Sequence, residues 1–585
     1  MVNITINGTQ VQVKEGTSIL DAAIENGVKI PHLCYLKDIN VIGACRMCCV
    51  EVEGEDRLIP ACENNVREGM VIRTDTAKVR SAQRTNLELI LSQHNGYCPS
   101  CTRNGSCQLQ KLSEEYNISV NPYPLNLPSD KFTKWPQDFP LIRDASKCIK
   151  CMRCISVCEK VQSLGIWDLE GSGGRTHIVV SGGKTIDKVP CSICGQCITH
   201  CPVGALHERD DVKRVVDAIN DPDKVTVVQI APAVRASWGE AMGLSDDKAT
   251  VNLLAGALRA AGFDYVFDTS FSADLTIMEE GSEFLERLKK GDLDKYPMFT
   301  SCCPGWVRFI KTQFPELVGQ LSSAKSPQQM FGSVIKDYFA KSIGKQPKEI
   351  FSVSIMPCTA KKAECDIPTM QRDGVKDVDC VLTTREVTKF IKSCGIDINK
   401  VRETEFDRLM GDYTGAGVIF GATGGVMEAA LRSAYFLVTG KNPDADAFKE
   451  VRAKGTGATI FDEKPWRELS FELAGRQLRI AVASSLGNAR KICQAIVDGT
   501  VKYDFVEIMA CPGGCAGGGG QIILGDDVER ARERGKKLYK IDKNMAERFS
   551  HENPDVLKLY KDDYGAPLSH KSEEYLHTDH FAWNV

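Results

Sequence analysis

A chain of 585 residues exceeds what one hydrophobic core holds, since cores rarely grow beyond about 250–300 residues, so several domains are expected. With 43% hydrophobic and 26% charged residues and a net charge of −4, nothing favours nucleic acid or an anionic membrane as partner, and no apolar run reaches the ~18 residues that a bilayer span requires. The outlier is 25 cysteines in a chain that opens on a strand-like segment without an export signal; a reducing, cytoplasmic setting is expected, where so many thiols point to metal.

Residues 2–6 and 10–13 alternate around Asn7-Gly8, which predicts a hairpin, and Thr17 and Ser18 then cap a helix over 19–26 that stops at Gly27. Cys34, Cys45, Cys48 and Cys62 follow as C-x10-C-x2-C-x13-C, with Gly43 and Ala44 leaving room for backbone approach. Loops that fold four thiolates round a buried point hold a [2Fe–2S] cluster. Residues 1–78 are assigned to such a domain, and Cys49, outside the pattern, is read as structural. Residues 79–92 have helical apolar spacing, and His94, Cys98, Cys101 and Cys107 follow as H-x3-C-x2-C-x5-C. On these residues alone zinc fits about as readily as iron–sulfur, and an isolated His94 would be a surface histidine. This second unit is bounded at 79–126.

A Pro-rich passage from Asn121 to Pro128 reads as a linker into a third unit, 127–209. Here Cys148-x2-Cys151-x2-Cys154-x3-Cys158 recurs as Cys191-x2-Cys194-x2-Cys197-x3-Cys201-Pro202. Two such runs make a two-cluster bacterial ferredoxin, in which the fourth Cys of each run serves the other cluster. Cys148, Cys151, Cys154 and Cys201 are therefore assigned to one [4Fe–4S] cluster, and Cys191, Cys194, Cys197 and Cys158 to the other. Glu159 stands where the first run would ordinarily have Pro. Zinc gives no reason for two interleaved ligand sets.

Over 210–527 strands at 225–230, 265–267, 298–300, 351–355, 380–382, 478–483 and 505–509 alternate with helices such as 275–290, 385–393 and 489–497, an α/β pattern. Three strands end at cysteine motifs: Thr300-Ser301-Cys302-Cys303-Pro304, Met356-Pro357-Cys358 with Lys361, and Cys511-Pro512-Gly513-Gly514-Cys515 before a glycine run. Sites form beyond the carboxyl ends of such strands, so Cys303, Cys358, Cys511 and Cys515 can converge, and the glycines allow close backbone approach. Adjacent residues do not easily ligate one metal centre together, which leaves one of Cys302 and Cys303 free; a thiol of pKa ~8.5 exchanges protons near neutrality. Glu280 and Glu283 share a helix face, which in isolation would read as solvated. Lys361 alone would likewise be solvated, and Met356 and Met509 simply core. Cys365, Cys380, Cys394 and Cys493 fit no cluster and are read as buried thiols. Residues 528–540 and 544–564 are charged and helical, and the His-rich end, 569–580, reads as a solvated tail wrapping the preceding domain; metal binding by His570, His577 and His580 is the alternative. No flavin or strand-flanked GxGxxG motif appears.

The first two cysteine patterns resemble those of hydrogenases and of the large peripheral subunit of respiratory NADH dehydrogenase. The three strand-end motifs are similar to the TSCCPxW, MPCxxKxxE and third glycine-rich motifs of [FeFe]-hydrogenases, with Ile522 where the family usually has Pro. The resemblance spans essentially the whole chain, and module order most resembles the catalytic subunit of multimeric NAD(P)-reducing [FeFe]-hydrogenases, as well as monomeric clostridial enzymes. It implies a multidomain α+β and α/β fold. The parts would be a β-grasp [2Fe–2S] domain, a small helical [4Fe–4S] domain with one His and three Cys ligands, a two-cluster ferredoxin, a catalytic H-cluster domain and a small-subunit-like tail at 528–585. It implies that Cys303, Cys358, Cys511 and Cys515 hold a [4Fe–4S] cube, with Cys515 bridging to a diiron subsite that carries CO, cyanide and an azadithiolate. Lys361 would face a cyanide. Met356 and Met509 would pack on the irons, and Ala231, Pro232, Ser326, Pro327, Gln328, Phe420 and Gly421 would complete the pocket. Cys302, Glu280, Ser322, Glu283 and Arg287 would carry protons between that subsite and solvent. The implied reaction is reversible H2 formation from protons and electrons. Flavin- and NAD(P)-binding partner subunits or a ferredoxin would exchange the electrons, and maturation proteins would build the diiron group. The rivals are a non-catalytic electron-transfer subunit and a hydrogenase-like iron–sulfur assembly protein.

Overall fold

The structure, a computed structural model, describes residues 1–129, 134–452, 464–473, 475–525 and 529–585. The first domain is a five-stranded sheet in the order Thr9–Val13, Val2–Ile6, Val71–Arg73, Cys49–Val52, Ile59–Pro60. Its hairpin turns where expected, on Asn7 and Gly8, both at positive φ (50° and 85°), which matches the twist of the flanking strands. Helix Ile19–Glu25 starts where the Ser18 side chain accepts the Asp21 amide, and it buries Ile19, Leu20, Ala22 and Ala23. Helices Ala77–Leu91 and Gln108–Glu115 form the second unit. In the third, Leu141–Arg143 pairs with Leu206–Glu208, and Trp167–Glu170 with His177–Val180. A single apolar cluster joins all three, with Leu33, Leu87 and Leu109 packed alongside Val157, Ile193 and Ile198, so the arm is continuous.

All seven strands expected in the catalytic half are present, but they divide between two four-stranded sheets. One is wholly parallel, in the order Tyr265–Asp268, Val225–Ile230, Ile350–Met356, Cys380–Thr383. In the other, Met298–Phe299, Phe505–Met509 and Arg476–Ser484 run parallel, and an edge strand outside the expected set, Arg467–Leu473, pairs antiparallel with the last. The helix Ser270–Lys290 packs on the helices Pro327–Val334, Gly415–Ile419 and Gly425–Thr439. It is buried nearly all round over its first turns, Glu279 and Glu280 included, so the solvated reading of this face fails.

The tail is likewise not solvated. Helix Ala531–Asn544 sends Leu538 against Ala233 and Val418, and Val556, Leu559, Tyr564 and Leu576 enter the core around Phe271 and Phe331. Its expected first residue, Val528, lies outside the described residues. The three tail histidines do not gather: His570 is exposed, whereas His577 and His580 each bind separate protein groups. Cys365, Cys380 and Cys493 are buried as expected, but Cys394 is exposed. Among the described residues no helix is long and apolar enough to cross a membrane.

Candidate active site

Several of the accessory cysteines stand beside one another. The Cys48 and Cys62 sulfurs are 3.4 Å apart, and hydrogen bonds from Cys45 and Cys62 hold the Cys34 thiol far below its ordinary pKa. His94 donates Nδ1–H to the Lys147 carbonyl at 2.9 Å, and burial lowers its pKa, so the ring is neutral with Nε2 free to ligate. Cys98, Cys101 and Cys107 are half-buried, and a Cβ on Gly204 would meet Cys101 Sγ at 2.4 Å.

In the ferredoxin repeat the backbone winds round two points. Lys150 and Met152 in the first run, and Ile193 and Gly195 in the second, all adopt positive φ (58°, 62°, 54° and 71°). For the three non-glycine residues this is an uncommon conformation that only a fixed surrounding sustains. Burial raises the Cys154 thiol, and the charges of Cys151, Cys148 and Cys201 raise it further; for Cys197 burial is followed by Cys194, Cys191 and Cys158. The fourth cysteine of each run thus stands with the other run. Backbone amides point at sulfur, Ile193 N to Cys191 at 3.4 Å and Ile166 N to Cys158 at 3.5 Å, the contacts that tune an iron–sulfur centre. Asn40 donates to both the Cys34 and Cys151 carbonyls, tying the first domain to the third.

The second ferredoxin set abuts the catalytic half. Thr359 donates to the Ile193 carbonyl at 2.6 Å, Gln196 to that of Gly517 at 2.9 Å, and Cys511 Sγ lies 3.6 Å from the Cys194 carbonyl. The glycine run sits in this seam. A Cβ on Gly518 would meet Pro357 O at 2.0 Å, on Gly519 Cys194 O at 2.4 Å, and on Gly520 Cys358 N at 2.7 Å.

Beyond it, the strand ends of both sheets frame a cavity of about 80 Å³, measured as the space open to the centre of a water-sized sphere. Ala231, Pro232, Pro327, Gln328, Met356, Phe420, Gly421 and Met509 line it as expected, with Cys302, Cys303, Cys358, Lys361 and Cys515. Pro304 and Pro357 of the strand-end motifs also line it, as do Ala233, Thr269 and Ala273, which carry no signal in the sequence. Ser326 does not: it precedes the helix Pro327–Val334, and its hydroxyl donates to Glu364 at 2.9 Å. Cys511 is also absent from the lining but faces Cys358, Cys303 and Cys515, whose charges add to burial in raising its thiol. The Cys303 sulfur accepts from the Ala510 amide at 3.5 Å. Lys361 Nζ lies 3.1 Å from the Cys302 carbonyl and pairs with Glu364 at 2.9 Å; burial pulls its pKa down, and Glu364 more than offsets that. Glu364 is the buried counter-ion that the motif reading left without a role.

Cys302 is buried beside the cavity, and its thiol is raised well above the ordinary range, by burial first and then by the charge of Glu280. Glu280 is fully buried, with the Ser301 amide and the Ser322 hydroxyl facing its carboxylate without closing to hydrogen-bond geometry; burial, and then Glu283, push its pKa to about 8. Glu283 differs: its carboxylate accepts from Ser322 Oγ (2.7 Å), the Ser323 amide (3.1 Å) and Arg287 (2.6 Å). A further carboxyl, Glu507, is pushed to about 7 by burial while accepting from the Gly424 and Met427 amides, each at 2.7 Å.

Residues 224–519 match the family described as "Iron only hydrogenase large subunit, C-terminal domain". A subunit of the NADP-reducing hydrogenase of Solidesulfovibrio fructosivorans, HndD, is 43% identical over 99% of both chains. The chain belongs to the [FeFe]-hydrogenase family. Iron hydrogenase 1 of Clostridium pasteurianum is 39% identical to this hydrogenase, again over 99% of both chains. A solved structure of the Chlamydomonas reinhardtii [FeFe]-hydrogenase HydA1 superposes with a TM-score of 0.56 at 40% identity, covering 64% of this chain and all of that one. Outside the catalytic domain, residues 1–77 match a [2Fe–2S] binding domain, 83–122 an iron–sulfur region of NADH-ubiquinone oxidoreductase, 147–205 a [4Fe–4S] dicluster domain and 528–583 the iron hydrogenase small subunit. The hydrogenase is thus an oxidoreductase with iron–sulfur domains ahead of an H-cluster domain and a fused small-subunit segment.

Proposed function

We propose that the hydrogenase interconverts protons and H2 at the cavity, exchanging electrons through four accessory clusters with a flavin- and NAD(P)-binding partner subunit. In this reading Cys303, Cys358, Cys511 and Cys515 hold a [4Fe–4S] cube and its attached diiron group. The donor set fits: four thiols from separate strand ends stand around the cavity, and an amide points at one of the sulfurs. When bound, the diiron group supplies the centre at which two protons and two electrons combine. The single observation that carries the reading is Cys302, a buried thiol on the cavity wall beside a carboxyl of pKa about 8.

Cys302 Sγ keeps its proton at neutral pH, because burial and the neighbouring carboxyl both disfavour the thiolate. It therefore acts as a donor with a low standing charge beside the irons. Glu280 is protonated through most of the working range and replenishes Cys302. Ser322 relays between Glu280 and Glu283, and Glu283, anchored by Arg287, meets protons from outside. Lys361, held by Glu364 on the cavity wall, offers an ammonium to an anionic iron ligand. Met356 and Met509 give a polarisable lining.

The domains are read as 1–78, 79–126, 127–209 and 210–527, with the tail from 528. Cys34, Cys45, Cys48 and Cys62 hold a [2Fe–2S] cluster. His94 with Cys98, Cys101 and Cys107, and the two interleaved ferredoxin sets, each hold a [4Fe–4S] cluster. About 20 irons per chain are expected from this count.

The NADP-reducing relative motivates the choice of NAD(P) over ferredoxin. The test is H2-dependent NADP reduction by the mature, purified chain, alone and with a flavoprotein subunit. Reduction only with the flavoprotein is expected. Full activity of the lone chain with reduced ferredoxin, and no gain from the flavoprotein, would sink the NAD(P) assignment.

A further inference from the structure

The end of the tail is built onto the segment that carries Ser322. Ala324 and His577 form an antiparallel bridge, with the Lys325 amide donating to the Leu576 carbonyl (2.7 Å) and the Thr578 amide to the Ser323 carbonyl (2.8 Å). His577 Nδ1 lies 2.8 Å from Ser323 Oγ, and Nε2 lies 3.1 Å from Glu279 Oε2. An ionised carboxylate can only accept, so Nε2 carries the proton and, in the neutral ring, the Ser323 hydroxyl donates to Nδ1. His580 Nε2 donates to the Ser322 carbonyl at 2.8 Å. Glu279 is itself fixed by the tail, accepting from the Tyr560 hydroxyl (2.6 Å) and the Leu568 amide (2.9 Å).

Residues 322–325 connect the short helix Pro315–Gln320 to the helix Pro327–Val334. From the strand side they are tied through the Ser322 amide to Phe299 (2.8 Å) and through the Ala324 carbonyl to the Ser301 hydroxyl (2.8 Å), one residue from Cys302. The tail takes the Ser322 and Ser323 carbonyls and the Lys325 amide, the Ala324 amide donates to Ser322 Oγ (3.2 Å), and the inner side grips Glu283 through Ser322 Oγ and the Ser323 amide. The tail and Glu283 thus hold opposite sides of one short loop.

We infer that His577 and His580 are positioning residues of the proton route. By fixing the Ser322 and Ser323 backbone they keep the hydroxyl and the amide converged on Glu283, so the fused small-subunit segment is a working part of proton delivery. The inference rests on reading Glu280, Ser322 and Glu283 as that route. A relay depends on hydrogen-bond distances, and a misplacement of about 1 Å can cost on the order of a hundredfold in rate.

The experiment uses the full-length, mature enzyme with a saturating reduced dye as electron donor. His577→Ala with His580→Ala should lower kcat by about 10- to 100-fold, with the KM for the dye, the iron content and the infrared spectrum unchanged. Adding both substitutions to Glu283→Gln should cost nothing further, a non-additivity that general loss of structure would not produce. If Glu283→Gln alone keeps parental turnover, the route itself is misread. If Glu283→Gln is slow but the histidine variants are at parental speed, or their losses add fully to it, the route stands and the inference about the tail falls. Should the double alanine variant fail to hold iron, His580→Leu and His580→Gln decide: the amide of Gln can still reach the Ser322 carbonyl. A slow Leu and a recovered Gln variant are expected, and parental turnover in the Leu variant overturns the inference.

Discussion

Cys148, Cys151 and Cys154 reach one point because a short run of backbone, kinked by positive φ at Lys150 and Met152, winds round it. Cys303, Cys358, Cys511 and Cys515 reach theirs from strand ends on two different sheets, with the second ferredoxin set as a third wall. The first arrangement is local for three cysteines of each run and borrows only the fourth, Cys201 or Cys158, from the other run. The second is assembled by the whole catalytic fold, which lets it surround a cavity and set a buried thiol and the proposed proton route beside it. Locality gives exchangeable electron carriers; dispersion gives a reaction chamber.

The contrast is tested most severely at Cys302, which belongs to the chamber but to no ligand set. Cys302→Ser should lower H2 formation by about 10²- to 10⁴-fold, the scale of a lost acid–base group, while iron content stays at the parental level. Parental turnover would remove Cys302 from the mechanism; loss of iron would make it a ligand. A smaller effect is expected from pH. Glu280, with its pKa raised to about 8, is protonated below that value and loses its proton above it. H2 formation should therefore fall by roughly tenfold per pH unit above about 8, and Glu280→Gln should abolish that inflection. The same sign holds for stability. A carboxyl with a raised folded pKa favours the fold at low pH, and that advantage is lost as pH rises from about 4.5 through about 8. A profile with no inflection between pH 7 and 9 would exclude Glu280 from the route. The smallest effect on chemistry belongs to the arm. Cys34→Ser should remove about two irons yet leave dye-driven H2 formation within about twofold, with a larger loss when electrons come from a protein partner. Collapse of the catalytic iron in this variant would mean that the arm is not modular.

Local features were therefore the legible ones. The Asn7-Gly8 hairpin, the Ser18 cap, the interleaved ferredoxin runs and the strand-end motifs all rest on residues within a turn or a strand of one another. What could not be read depends on partners distant in sequence. The seven core strands are short and apolar, and nothing in them says that Met298–Phe299 joins Phe505–Met509 while Ile350–Met356 joins the other sheet. Arg467–Leu473 alternates charged and apolar residues and so resembles surface until its partner Arg476–Ser484 is placed beside it. Glu279, Glu280 and Glu283 look like a solvated face because the tail that covers Glu279 lies nearly three hundred residues away. The same distance hid the contacts of His577 and His580. Pocket-lining Ala233, Thr269 and Ala273 carry no chemistry of their own and are significant only by position.

The glycine seam has one more consequence. Gly519 lies against the Cys194 carbonyl and Gly195, and Gly518 and Gly520 against Pro357 and Cys358, with main chain meeting main chain throughout. The gap for the proposed last hop is therefore a machined tolerance, set at Gly519 and Gly195 by backbone thickness and braced by the Thr359, Gln196 and Cys511 side chains. Substitutions around either centre can alter how readily it accepts an electron. They leave the length of the final hop unchanged, because even a methyl group in that seam would force the two halves apart.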